Sequence, residues 1–123
     1  MKQSKTLQTA IKITTDDSIS RIDLDEPLYK SVRNAIGGLI EIVRARGLKH
    51  PHVMIVDEEG LIKNRQLNKV GSLLYGTPLH GQPIVGDIVI MREEEGPDGM
   101  DIFGLNSEDI TYLTEMITKL VAK

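Results

Sequence analysis

The run Ile84-Val85-Gly86-Asp87-Ile88-Val89-Ile90-Met91 decides how the rest of the chain is read. It is short for a helix, rich in β-branched side chains and preceded by a Gly/Pro-rich stretch, the marks of a core strand. Residues 39–43 and 53–56 have the same character. The connection between them carries Gly47 and Pro51, which suits an antiparallel pair. Further upstream, Ile11 and Ile13 alternate with Lys12 and Thr14, and Ile22 and Leu24 alternate with Arg21 and Asp23. With Asp16-Asp17 as the turn between them, residues 11–24 read as a hairpin.

Helices fill the intervals. Asp25-Glu26-Pro27 predicts a helix start with an acidic cap and proline in the first turn. Leu28, Val32, Ala35 and Ile36 follow at helical spacing, and Gly37-Gly38 ends the segment. Within residues 61–75, Leu67, Val70 and Leu74 suggest a short helix or an irregular excursion, which Gly71 weakens by about 1 kcal/mol relative to alanine. Residues 92–104 are acidic and rich in Gly and Pro, and predict a mobile surface loop. Asn106-Ser107-Glu108-Asp109 is a strong helix start, backed by an apolar stripe of Ile110, Leu113, Ile117 and Leu120. The expected fold is α+β: a small, mostly antiparallel sheet of about five strands with two or three helices packed on one face.

The chain has 123 residues, the size of a single domain. Within it the segments are an N-terminal hairpin (1–24), a core (25–91), an acidic loop (92–104) and a C-terminal helix (105–123). Hydrophobic residues form 40% and charged residues 27%, as in ordinary globular proteins. With three Tyr, one Phe and no Trp, the core must be aliphatic. The net charge of −3 and the few stacking aromatics argue against nucleic acid as a partner. Without cysteine, disulfides, thiolate nucleophiles and Cys-based metal sites are excluded. No run approaches the ~20 apolar residues of a membrane span and the first residues are polar, so the expected location is the cytoplasm.

Three motifs occur in an order that resembles a known family. They are Gly37-Gly38-Leu39-Ile40-Glu41, then Asp57-Glu58-Glu59-Gly60 with Leu67-Asn68, then Ile84-Val85-Gly86-Asp87-Ile88-Val89. Over roughly residues 28–120 the chain looks like a small family of bacterial, phage and plasmid genomes, catalogued as a domain of unknown function. The resemblance implies a prophage or mobile-element setting, with the host cytoplasm as location, and raises the expectation of a counter-defence role. It supplies no catalytic residues.

Several residues are candidates for chemistry. Glu41 interrupts an apolar strand on the face shared by Leu39 and Val43; it either orders a ligand or faces solvent on an open side of the sheet. Asn64, Arg65 and Asn68 cluster after a glycine turn. Arg65 offers a planar donor fork for phosphate or carboxylate, and the amides offer base-like pairing, or Asn68 simply caps backbone. Gly76-Thr77-Pro78-Leu79-His80-Gly81-Gln82-Pro83 repeats Gly-x-Pro, with Thr77 and His80 as anion donors or as parts of a rigid connector; it lacks the nucleotide-hydrolase phosphate-loop pattern. His50 and His52 flank Pro51, too few ligands for zinc. Glu93-Glu94-Glu95, Asp98 and Asp101 lack the order of a calcium loop.

No nucleophile elbow or His-Glu-x-x-His is present, which counts against an enzyme. Neither a metal nor a cofactor is expected. The leading expectation is a non-catalytic protein that binds a small anionic ligand, sequestering a nucleotide-type immune signal to counter host defence, and that self-associates to build the pocket. The ligand residues would be Glu41, Asn64, Arg65, Asn68, Thr77 and His80. The alternatives are a protein-interaction module that inhibits or adapts a host protein, and a nucleotide-processing enzyme.

Overall fold

In the computed structural model, which describes residues 8–76 and 82–122, the strands are β1 (Gln8–Ile13), β2 (Ile19–Leu24), β3 (Ile40–Val43), β4 (His52–Asp57), β5 (Ile88–Gly96) and β6 (Gly99–Phe103). The helices are α1 (Leu28–Ile36), α2 (Lys69–Tyr75) and α3 (Ser107–Val121). Every strand pairing is antiparallel, in the order β2-β1-β5-β4-β3. The long strand β5 pairs with β1 through Ile88–Ile90 and then with β6 from Arg92 onward, so β1 and β6 follow one another along the same edge. The protein is an α+β fold.

The six antiparallel strands agree with the expected sheet of about five, but the helices lie on both of its faces and not on one. On one face, Val70 and Leu74 of α2 and Leu113 and Ile117 of α3 pack with Ile11, Ile13, Met54, Ile88 and Ile90. On the other, Val32 and Ile36 of α1 pack with Ala10, Val53, Ile55, Val89 and Met91. The cause lies in β4 and β5. Each is apolar at consecutive positions, so both of its faces must be removed from water, and one helical layer covers only one. No helix among the described residues is long and apolar enough to cross a membrane.

The segment expected as an acidic loop, 92–104, is mostly the β5–β6 hairpin, turning through Pro97 and Asp98 with Gly99 at φ 108°. Acidity misleads there because its charges are partnered. Glu93 is buried and accepts two bonds from the Arg44 guanidinium, while Arg92 pairs with Glu94 and Asp109. Ile102, fully buried, anchors β6 to the α1 side of the core. The expected strand 84–91 also starts later than its apolar run. Gly86 sits at φ 80°, and Val85 makes only an isolated bridge to Leu67.

Helix ends show where local chemistry prevailed. α1 has no acidic cap: Pro27 occupies the cap position without a side-chain bond, and Asp25 donates its N–H to Ser31 Oγ instead. Its C-terminal end is as expected, with Gly37 in the left-handed conformation. α3 begins with a complete capping box, Asn106 and Asp109 each bonding the other's backbone N–H. In α2, Gly71 stands where a Cβ would lie 3.0 Å from Ile84 Cγ2 and 3.2 Å from Ile88 Cδ1. Its weak helix propensity is the cost of seating α2 closely on the chain that enters β5.

Candidate functional site

β3 ends the sheet, and beside it lies an open groove of about 610 Å³. Its walls come from β3, the end of β4, the turn after it and residues 82–85. Glu41, on the face of β3 that carries Val43, projects to this side. Glu58 faces the groove from the turn, and Leu61 and Ile62 border it, Ile62 with 85% of its surface exposed. Among the described residues neither Glu41 nor Glu58 has an ion-pair partner, whereas the nearby cations are already paired: Arg44 with Glu93, Lys63 and Arg65 with Asp57. Two cations share Asp57, so the neighbourhood is not strongly anionic overall, but the groove itself presents two carboxylates without a partner among the described residues beside exposed aliphatic surface.

Behind the groove a polar latch joins residues of the three motifs through Lys63 and Arg65. Asp57 accepts from the N–H of Glu59 at 2.8 Å, from Lys63 Nζ at 3.0 Å and from Arg65 Nε at 2.8 Å. Burial alone pushes its carboxyl up. The Glu59 N–H, Lys63 and Arg65 outweigh that and hold it below the ordinary carboxylate value. Arg65 also donates to the carbonyl of Gly37, closing the end of α1 onto β4. The glycines make room for these side chains. A Cβ at Gly38 would lie 2.5 Å from Lys63 Nζ, and one at Gly86 would lie 2.9 Å from Arg65 Cδ. Gly37, Asp57 and Gly86 thus meet around one guanidinium, and Gly38 lies against the Lys63 ammonium and Asp57.

The structure disperses the expected site residues. Asn68 is fully buried, and its side chain is consumed by the backbone: Nδ2 donates to Ile13 and Gly86 carbonyls, while Oδ1 caps α2 at the Gly71 N–H. Arg65 is occupied by the latch. Asn64 is an exposed turn residue in the left-handed region, φ 60°. Of the four that fall among the described residues, only Glu41 lines the groove. Thr77 and His80 lie outside the described residues, although Tyr75 and Gln82 on either side line the groove.

Residues that sequence reasoning passed over stand out instead. Asp57, ending an otherwise apolar strand, with Lys63 and Arg65 six and eight positions on, was the legible signal for the latch. His52, expected in a polar loop, is buried in β4; its Nε2 lies 2.9 Å from Asp109 Oδ1 and its ring stacks on Tyr112. Burial raises the Asp109 carboxyl, but the Asn106 N–H, His52 and Arg92 together lower it below its ordinary value. This cluster pins the start of α3 to β4 and β5. Among the described residues no group of three or more His, Asp or Glu could hold a metal ion.

Comparison with known proteins adds the fold and the family. A crystal structure of the small RNA methyltransferase HEN1 superposes with a TM-score of 0.58 at 13% sequence identity, over 94% of this chain and 16% of that one. At that identity the likeness is one of fold alone. Among curated proteins none matches the chain. The family model that describes a domain of unknown function, DUF3846, matches residues 8–118, which span the motifs, the latch and the groove, and the chain belongs to that family.

Proposed function

We propose that the protein is a non-catalytic binding module whose ligand occupies the groove beside β3. The single observation that carries this reading is the combination, in one concave surface, of two carboxylates without an ion-pair partner among the described residues and exposed Leu61 and Ile62. Exposed aliphatic surface rimmed by charge marks a contact site rather than a solvated face. Glu41 and Glu58 select a cationic ligand. Capture of a nucleotide-type immune signal by a mobile-element protein draws on the Gly-rich loops, Arg65, the neighbouring amides and His80; of these, Arg65 and Asn68 are engaged in holding the fold, and His80 lies outside the described residues. A cytoplasmic setting belongs to the proposal.

The test is an amide-shift titration of the protein with a small panel: spermine, a lysine-containing peptide, a cyclic dinucleotide and ATP. Cationic members are expected to perturb Glu41, Arg44, Glu58 and Ile62. Glu41→Lys with Glu58→Lys is expected to remove the effect while leaving the thermal midpoint in place, since both residues are exposed. Binding of the nucleotides alone, or perturbations that the double variant leaves intact, would refute the reading.

A further inference from the structure

We infer that the occupant of the groove is an extended segment of a partner protein, bearing basic side chains, which adds to the sheet as a seventh strand along β3. The inference rests on the groove reading above and names its ligand.

Three observations support it. First, among the described residues β3 is a terminal strand with no partner on its outer side. Glu58 donates its N–H to Leu39 O at 2.8 Å, which turns Leu39 toward β4. Antiparallel ladders alternate, so Glu41 and Val43 also point their backbone groups at β4, and Ile40 and Ile42 present N–H and C=O outward. An unpaired edge of this kind is a template for an incoming strand. Second, the two faces of β3 differ. Ile40 and Ile42 pack partly into the α1 side, whereas Glu41 shares the groove side with Val43. A strand laid along β3 would place alternate side chains against these two surfaces: basic ones beside Glu41 and Glu58, aliphatic ones beside Ile40 and Ile42.

Third, the charge argues for a foreign strand over a second copy. A twofold axis through Ile42 would pair Glu41 with Val43 of the other copy. The two Glu41 carboxylates would then sit at diagonal positions on one face, about 7–8 Å between their backbones, where like charges oppose pairing.

The probes are blocked hexapeptides: alternating lysine and valine, alternating glutamate and valine, and the lysine–valine peptide N-methylated on either its lysine or its valine nitrogens. The lysine–valine peptide is expected to shift the amides of β3 and of Glu58, and the glutamate–valine peptide is not. One of the two methylated forms is expected to bind about tenfold more weakly and the other to bind nearly as well as the parent, because only alternate amides face β3. Glu41→Lys is expected to weaken the parent about fivefold.

Equal affinity of the parent and both methylated forms would overturn strand addition while leaving the groove as a site for cations. Binding of spermine with no peptide binding would do the same. Peptide shifts confined to α3 would overturn both readings. A doubled sedimentation mass, with Ile40 and Ile42 amides already protected before peptide is added, would show that a second copy holds the edge and would overturn the partner-protein proposal.

Discussion

Replacing Asn68 by alanine is the sharpest probe of how this fold is held, because one buried amide ties three parts of the chain together. Its Oδ1 caps α2 at Gly71, 2.8 Å away; its Nδ2 reaches the carbonyl of Ile13 at 3.0 Å and that of Gly86 at 2.9 Å. Losing the cap costs about 1 kcal/mol. Leaving each of two buried carbonyls short of a donor costs about 1 kcal/mol more. The total, about 3 kcal/mol, is a large share of the stability of a domain this size and corresponds to a fall in Tm of about 12 °C. Urea denaturation with an unchanged slope measures it. Asn68→Ser, which keeps an acceptor for the Gly71 N–H, is expected to lose about 2 kcal/mol. Asn68→Asp is expected to be worst, since a buried carboxylate would face two carbonyl oxygens. A loss below about 1 kcal/mol for alanine, or a well-tolerated aspartate, would refute the assignment of Asn68 to the fold.

Other perturbations test the latch and the packing. Arg65→Ala is expected to cost about 2 kcal/mol, the loss from uncovering buried Asp57 reduced by the guanidinium's partial exposure; Arg65→Lys should recover little, because one ammonium cannot reach both Asp57 and the Gly37 carbonyl. Asp57 and Asp109 both titrate below their ordinary value of 3.8, so the unfolded chain takes up protons at higher pH than the folded one. Their stabilisation is complete above about pH 5 and is lost as pH falls below about 4; Asp57→Asn should flatten that acid limb in denaturation measured against pH. Gly47→Ala is expected to cost about 2 kcal/mol in urea denaturation, since its Cβ would lie 2.8 Å from Leu74 O, a backbone atom that also accepts the Gly47 N–H.

Much of the fold was legible because it follows from local pattern. Alternation at Ile11, Ile13, Ile22 and Leu24 predicted the β1–β2 hairpin, Gly37 the end of α1, and Asn106 with Asp109 the start of α3. The β5–β6 hairpin was not legible, because the charges of Glu93 and Glu94 are cancelled by Arg44 and Arg92, and Arg44 is far away in sequence. Among the described residues the candidate site was legible at Glu41, whose position on an otherwise apolar strand is a one-residue signal. Arg65 and Asn68 read as ligand groups because a guanidinium or amide near a glycine turn looks the same in sequence whether its partner is a ligand or a carbonyl of the chain.

The amino-acid order by itself determined an α+β domain with an aliphatic core and no thiol chemistry, since periodicity and composition act over neighbouring residues. Tertiary structure alone decided that helices cover both sides of the sheet, that motif residues converge on Arg65, and that, among the described residues, β3 is left at an edge beside two unpaired carboxylates. Those outcomes depend on which distant groups satisfy one another's hydrogen bonds and charges, and a pairing across tens of residues leaves no mark in the local pattern.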